Sequence, residues 1–365
     1  MKILVAPDKF KGSITSPDAC SALRAGIEAI GSHEVLTFPM ADGGDGFATV
    51  MAAYAGARER HCQVVDALDR PITATYFMDA SGTTAIMELA AASGLALINE
   101  QDRNIMDSST TGTGLMIRHA IDAGAKTIIV GIGGSATNDG GMGILHALGV
   151  QFMDEAGRHL PPAARSLPQV KEIIIPEPLP AIHFRLAVDV VNPLTGPRGA
   201  AAVYGPQKGA TEEDVIFLDA GLKSYAEVLE RSTGRVIDGI GGLGAAGGVP
   251  AGMSAVLDVE MLKGADMVVK ASGFVAALKG ADLVITGEGK MDEQSWQGKL
   301  TGRIADLAME HGVTCVAVCG QNELPDPGKF ARIVALTNGH VTTGEAISNT
   351  ASVLQRIAPI LLVGG

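Results

Sequence analysis

The apolar run Thr127-Ile-Ile-Val-Gly131 leads straight into Ile132-Gly-Gly-Ser-Ala-Thr-Asn-Asp-Gly-Gly141, a loop edged with hydroxyls, an amide and a carboxylate. Gly131, Gly133 and Gly134 let the main chain come close to a ligand, while Ser135, Thr137 and Asn138 add short hydrogen-bonding side chains. After Asp139, the spacing of Met142, Leu145 and Leu148 predicts a helix, so its N-terminal N–H groups and dipole face the loop. An anion such as phosphate is the guest this arrangement favours; a plain strand-to-helix corner is the alternative. The segment matches neither G-x-x-x-x-G-K-[ST] nor a clean G-x-G-x-x-G with its acidic partner, so the two commonest nucleotide fingerprints are unsupported.

Other chemistry-bearing residues fall where predicted strands end. Asp8, Lys9 and Lys11 follow the first strand and Asp42 and Asp45 the second; Asp189 and Asn192 end a strand that begins with Phe184. Glu288, Lys290 and Asp292 sit in a glycine-containing loop after Thr286. Carboxylates beside lysines are what phosphoryl transfer requires: oxygens for magnesium and for the accepting hydroxyl's proton, cations for phosphate charge. Singly, each could be a turn or cap residue. His119 and His146 fall within helical patterns and read as surface or packing residues rather than bases.

The elements that must position these groups follow from periodicity. Strands Ile3 to Ala6 and Glu34 to Phe38 alternate with a helix opened by Ser16-Pro-Asp18 and one carrying Phe47, Val50, Met51 and Tyr54 inward. Short strands at Gln63 to Val65, Ile72 to Phe77 and Thr84 to Met87, split by turn residues, predict an antiparallel meander and a new module from about residue 61. The βα rhythm returns with strands Leu283 to Thr286, Val313 to Val318 and Ile333 to Leu336. The simplest topology joins these to the first two strands in one parallel sheet. Residues 1–60 and 262–365 then form one α/β domain, and 61–261 an inserted α/β domain with a mixed sheet. Two consecutive domains divided near residue 150 or 200 are the alternative. The Gly239 to Gly252 cluster reads either as close backbone approach or as an interdomain hinge.

The 365 residues exceed what one core usually serves, and 47 glycines with 4% aromatics fit many tight βα turns. Twenty-eight basic against 40 acidic side chains give a net charge of −12, which disfavours nucleic acid and anionic membrane as partners. Cys20, Cys62, Cys315 and Cys319 have no metal-site spacing and read as reduced thiols. The chain opens on a strand without a signal-like segment, which predicts a cytoplasmic protein.

Taken together, Asp8-x-Phe-Lys11-Gly-Ser13, Ala41-Asp-Gly-Gly-Asp-Gly46, the Gly131 to Gly141 loop, Val188-Asp-Val-Val-Asn-Pro-Leu194, Gly205-Pro-Gln-Lys-Gly209 and Ile285-Thr-Gly-Glu-Gly-Lys290 closely resemble the bacterial glycerate kinase family. The resemblance implies a Rossmann-like domain with an inserted α/β domain, and ATP- and magnesium-dependent phosphorylation of D-glycerate, usually to 2-phosphoglycerate. Lys9, Asp45, Phe47 and Leu115 depart from the family pattern, which commonly has serine, glutamate, threonine and glutamate there. On this reading the domains close over both substrates at a cleft, Asp189 accepts the hydroxyl proton, and Lys11 holds substrate carboxylate or transferring phosphate. Asp42 and Glu288 bind magnesium. Asp8, the loop residues Gly133, Gly134, Ser135, Thr137, Asn138 and Asp139, and Asn192, Lys208 and Lys290 contact substrate or phosphate. Which loop serves nucleotide and which glycerate stays open, as do the phosphorylated hydroxyl, the preferred hydroxy acid and assembly into a homo-oligomer. A non-catalytic ligand-binding regulator and a dinucleotide-dependent oxidoreductase are the competing classes.

Overall fold

In the computed structural model, residues 1–179, 181–237, 239–296, 299–337 and 341–362 are described. β1 (Lys2–Val5) and β2 (Glu34–Thr37) pair in parallel through the helix Ser16–Glu28. That helix starts where Thr15 accepts from the Asp18 N–H and Pro17 fills the first turn, where a missing N–H costs nothing. Its buried face carries Ala19, Leu23 and Ile27.

Eight strands follow: β3 (Arg58–Val65), β4 (Pro71–Met78), β5 (Thr84–Glu88), β6 (Thr127–Gly131), β7 (Gln151–Met153), β8 (Glu172–Ile174), β9 (His183–Ala187) and β10 (Asp258–Leu262). Six of them make a mixed sheet in the order β10-β9-β6-β5-β4-β3. Its β3, β4 and β5 run antiparallel as a meander, while the β5-β6, β6-β9 and β9-β10 pairs are parallel. β7 and β8 form a separate antiparallel pair. The chain then returns through β11 (Leu283–Met291), β12 (Thr314–Asn322) and β13 (Arg332–Ala335), giving a wholly parallel sheet ordered β13-β12-β11-β1-β2.

The chain divides into two compact units, Met1–Asp42 with Gly264–Gly365 and Gly43–Lys263. The helix Phe47–Ala55, grouped with the first strands on periodicity, packs on β4, β5 and β6 and belongs to the second unit. Each unit has its own core. Ile3, Val5, Ile285 and Val318 of the parallel sheet bury against Leu23 and Leu354 in the first. Met87, Val130 and Leu186 of the mixed sheet bury with Ile144 and Tyr225 in the second. Full burial of each such side chain contributes about 1.5–3 kcal/mol. The helix Glu212–Thr233, which supplies Tyr225, begins in a capping box between Thr211 and Asp214.

Two strand ends differ from the sequence reading. β9 stops at Ala187, so Asp189 stands in the following loop rather than in the strand. β11 runs on to Met291 because its parallel ladder with β12 continues through Glu288↔Cys319 and Lys290↔Gln321; the expected loop at Gly287–Asp292 is mostly strand. Among the described residues no helix is long and apolar enough to cross a membrane.

Candidate active site

In an open parallel sheet, ligands collect beyond the carboxyl ends of the strands where the strand order reverses. In the first unit β1 leads to β2 on one side, while β11, β12 and β13 extend on the other, so the reversal falls between β1 and β11. A cavity of about 440 Å³ there is lined by Asp8, Asp42, Glu288 and Asp292. Asp8 is buried and its Oδ1 accepts the Lys9 N–H at 2.7 Å. Burial, reinforced by the charge of Asp42, pushes its carboxyl up to about 8 against the opposing pull of Lys9. Burial also raises Glu288, opposed by a hydrogen bond from the Thr301 hydroxyl and by the charge of Lys299. Lys299 Nζ lies 4.0 Å from Glu288 Oε2 and 3.7 Å from Asp292 Oδ1. Lys11, exposed, lines the same cavity, as does Lys290, which pairs with Glu323 at 2.9 Å.

In the second unit the glycine loop after β6 is held from beneath. Asp139, fully buried, accepts from the Thr110 N–H and hydroxyl at 2.7 Å each, and from the Gly141 and Gly143 N–H groups at 3.1 Å each. The helix start offered to a phosphate is therefore met by the chain's own carboxylate, and the helix is only Met142–Ala147. Lys208, also buried, donates to Ser135 Oγ at 2.8 Å and Thr137 O at 2.7 Å. Burial pushes its ammonium down to about 7, against the opposing charge of Asp139. Asn138 is fully buried and both its amide atoms lack a hydrogen-bond partner. The Gly239 to Gly252 cluster makes a close approach to this loop: a β-carbon on Gly247 would stand 2.1 Å from Thr137 O.

The carboxyl ends of β6 and β9 meet the segment from Gly43. Gly133 N donates to Gly43 O at 3.3 Å. Gly43 adopts φ +93°, and a β-carbon there would stand 2.5 Å from Asp189 Oδ2, so only glycine lets the exposed Asp189 carboxylate lie against this backbone. Asn192 spends its side chain locally, donating to Arg198 O and accepting from the Tyr204 hydroxyl.

The candidate residues thus form two sets. Asp8, Lys11, Asp42, Glu288 and Lys290 share the cavity of the first unit; Gly133 to Asp139 and Lys208 share the glycine-loop cluster of the second, with Asp189 and Asn192 after β9. Sequence reasoning gave Lys299 no role, since a lone lysine before a helix carries no spacing signal. Of the departures, Phe47 is fully buried and covers Gly131, while Leu115 projects from the helix Thr111–Asp122 and is 38% exposed, so the missing carboxylate falls on a helix surface.

A sequence profile described as the glycerate kinase family matches residues 3–362. The glycerate kinase of Bacillus subtilis (strain 168) is 36% identical over 98% of this chain and 96% of its own length. The glycerate 2-kinase of Escherichia coli (strain K12) is 37% identical over 88% of this chain and 85% of its own. A crystal structure from Salmonella typhimurium LT2, of a protein provisionally called glycerate kinase 2, superposes with a TM-score of 0.84 at 35% identity, covering 98% of this chain and 96% of that one.

Proposed function

The chain belongs to the glycerate kinase family of phosphotransferases with an alcohol acceptor, and from that premise we propose that it transfers the γ-phosphoryl group of ATP to a hydroxyl of D-glycerate, giving 2-phosphoglycerate. The observation that carries this reading is the gathering of Asp8, Asp42 and Glu288 with Lys11 and Lys299 at the point where the parallel strand order reverses. Phosphoryl transfer is mostly positioning and charge compensation, and these are the groups that provide both.

In the proposed reaction the glycerate hydroxyl oxygen bonds to the γ-phosphorus, the bond from that phosphorus to the β,γ-bridging oxygen breaks, and ADP leaves. Asp189 takes the hydroxyl proton; its carboxylate is exposed, with Oδ2 close against the Gly43 backbone. Lys11 offsets charge on the transferring phosphoryl group. Ser135 and Gly134 present the glycine loop to an anion, with Lys208 holding the loop from inside.

The carboxylate oxygens of Asp42 and Glu288 suit magnesium, a hard cation that prefers oxygen. Among the described residues no group of three His, Cys, Asp or Glu is arranged to hold an ion alone. Magnesium binds through one or two carboxylates and keeps water and phosphate oxygens. When bound, it would neutralise phosphate charge. The test is ADP release on adding D-glycerate to protein, ATP and magnesium. Turnover that needs all three supports the reading; ATP turnover indifferent to glycerate, or none at all, overturns it.

A further inference from the structure

We infer that the cavity of the first unit is the nucleotide site, taking the base and ribose of a nucleoside triphosphate against its apolar wall and the phosphates among its charged groups. This rests on the kinase reading above and assigns one of its two substrates to a place. The cavity has two kinds of wall. Asp8, Asp42, Glu288 and Lys299 are charged, whereas Leu336, just past β13, and Ala346 and Ile347 of the helix Thr343–Ser348 are apolar. The volume, about 440 Å³, agrees, because it lies in the range that buries drug-sized ligands.

Charge points the same way. The lining holds four carboxylates, Asp8, Asp42, Glu288 and Asp292, against four lysines, Lys9, Lys11, Lys290 and Lys299. Lysines set beside carboxylates accept a polyanion carried with a divalent cation. The apolar wall is held in place. Ser13, on the loop after β1, donates to Ile347 O at 2.8 Å and hydrogen bonds with the Thr350 hydroxyl, tying the helix Thr343–Ser348 to the loop that carries Lys11. Thr343 and Ile347 are one turn apart on that helix, so they share a face, and both line the cavity.

Both side chains are exposed, so Ile347→Glu and Thr343→Glu put a charge on the apolar wall without disturbing a core. Isothermal titration with magnesium and adenosine 5′-(β,γ-imido)triphosphate, together with steady-state kinetics, reads the result. The site assignment predicts at least a tenfold loss of nucleotide affinity and a matching rise in KM for ATP, with KM for glycerate within twofold of the parent. A rise in KM for glycerate at unchanged nucleotide affinity would overturn it, as would no change in either by both variants. The kinase reading fails separately. If the parent protein makes no phosphoglycerate yet binds the analogue and loses it in Ile347→Glu, the nucleotide site stands and the glycerate reaction does not.

Discussion

Asp189 and Lys208 put charge to opposite uses. Asp189 is exposed beyond β9 with one oxygen lodged against Gly43, so it can meet a substrate hydroxyl from a fixed position. Asp189→Asn keeps the shape and removes the proposed proton acceptor. We expect kcat to fall on the order of 10²-fold or more at an unchanged melting temperature; near-parent kcat would remove the base assignment. Lys208 is inside, where its two hydrogen bonds hold Ser135 and Thr137. Lys208→Met strands those acceptors and should cost about 1–3 kcal/mol of stability. Its folded value near 7 lies below the unfolded value of 10.5, so the unfolded chain binds the extra proton between them. The lysine's contribution to stability therefore rises as pH climbs from about 7 to about 10.5. Melting curves at pH 7 and pH 9 should show the gap between parent and Lys208→Met widening at pH 9; a constant gap would contradict this. Residue type and strand-end position made Asp189 legible as a candidate, and the Gly205-Pro-Gln-Lys-Gly209 motif of the family resemblance did so for Lys208. Their division into exposed acid and internal post was not legible, because Lys208 is held inside by Ser135 and Thr137, distant from it in sequence.

At the scale of elements, caps and periodicity were the readable part. Ser16-Pro-Asp18 and Thr211-Glu-Glu-Asp214 marked helix starts that the structure places there, since capping is a local contest for free N–H groups. Thr211→Ala should lower stability by about 1 kcal/mol through loss of the Asp214 N–H bond, measured by urea denaturation. The reach of strands was less readable, because β11 is prolonged by its partner β12 and nothing in Glu288-Gly-Lys290 announces a ladder. The segment Gly43-Gly-Asp45 joins elements rather than forming one, and Gly43→Ala would push a β-carbon onto Asp189 Oδ2 at a φ that L-residues avoid. We expect kcat to drop at least tenfold with KM for ATP little altered; parent-like kcat would mean that Gly43 does not position Asp189.

At the scale of the whole molecule, the return of the chain to complete one parallel sheet was legible from strands separated by helical patterns. Where the two units divide was not, because Phe47, Val50 and Met51 have the same helical spacing whichever sheet they cover; here they are buried in the second unit. That unit, Gly43–Lys263, is continuous in sequence and has its own sheet and core. Excised, residues 43–263 should melt cooperatively with native near-ultraviolet dichroism, and a non-cooperative melt would show that the unit depends on the rest of the chain. Above these sits the claim of phosphoryl transfer to glycerate. Phosphorus NMR of the protein with D-glycerate, ATP and magnesium tests it most directly: the account predicts loss of the ATP γ-signal with growth of 2-phosphoglycerate and ADP. Inorganic phosphate in place of a phosphoglycerate, or an unchanged ATP spectrum, would contradict it.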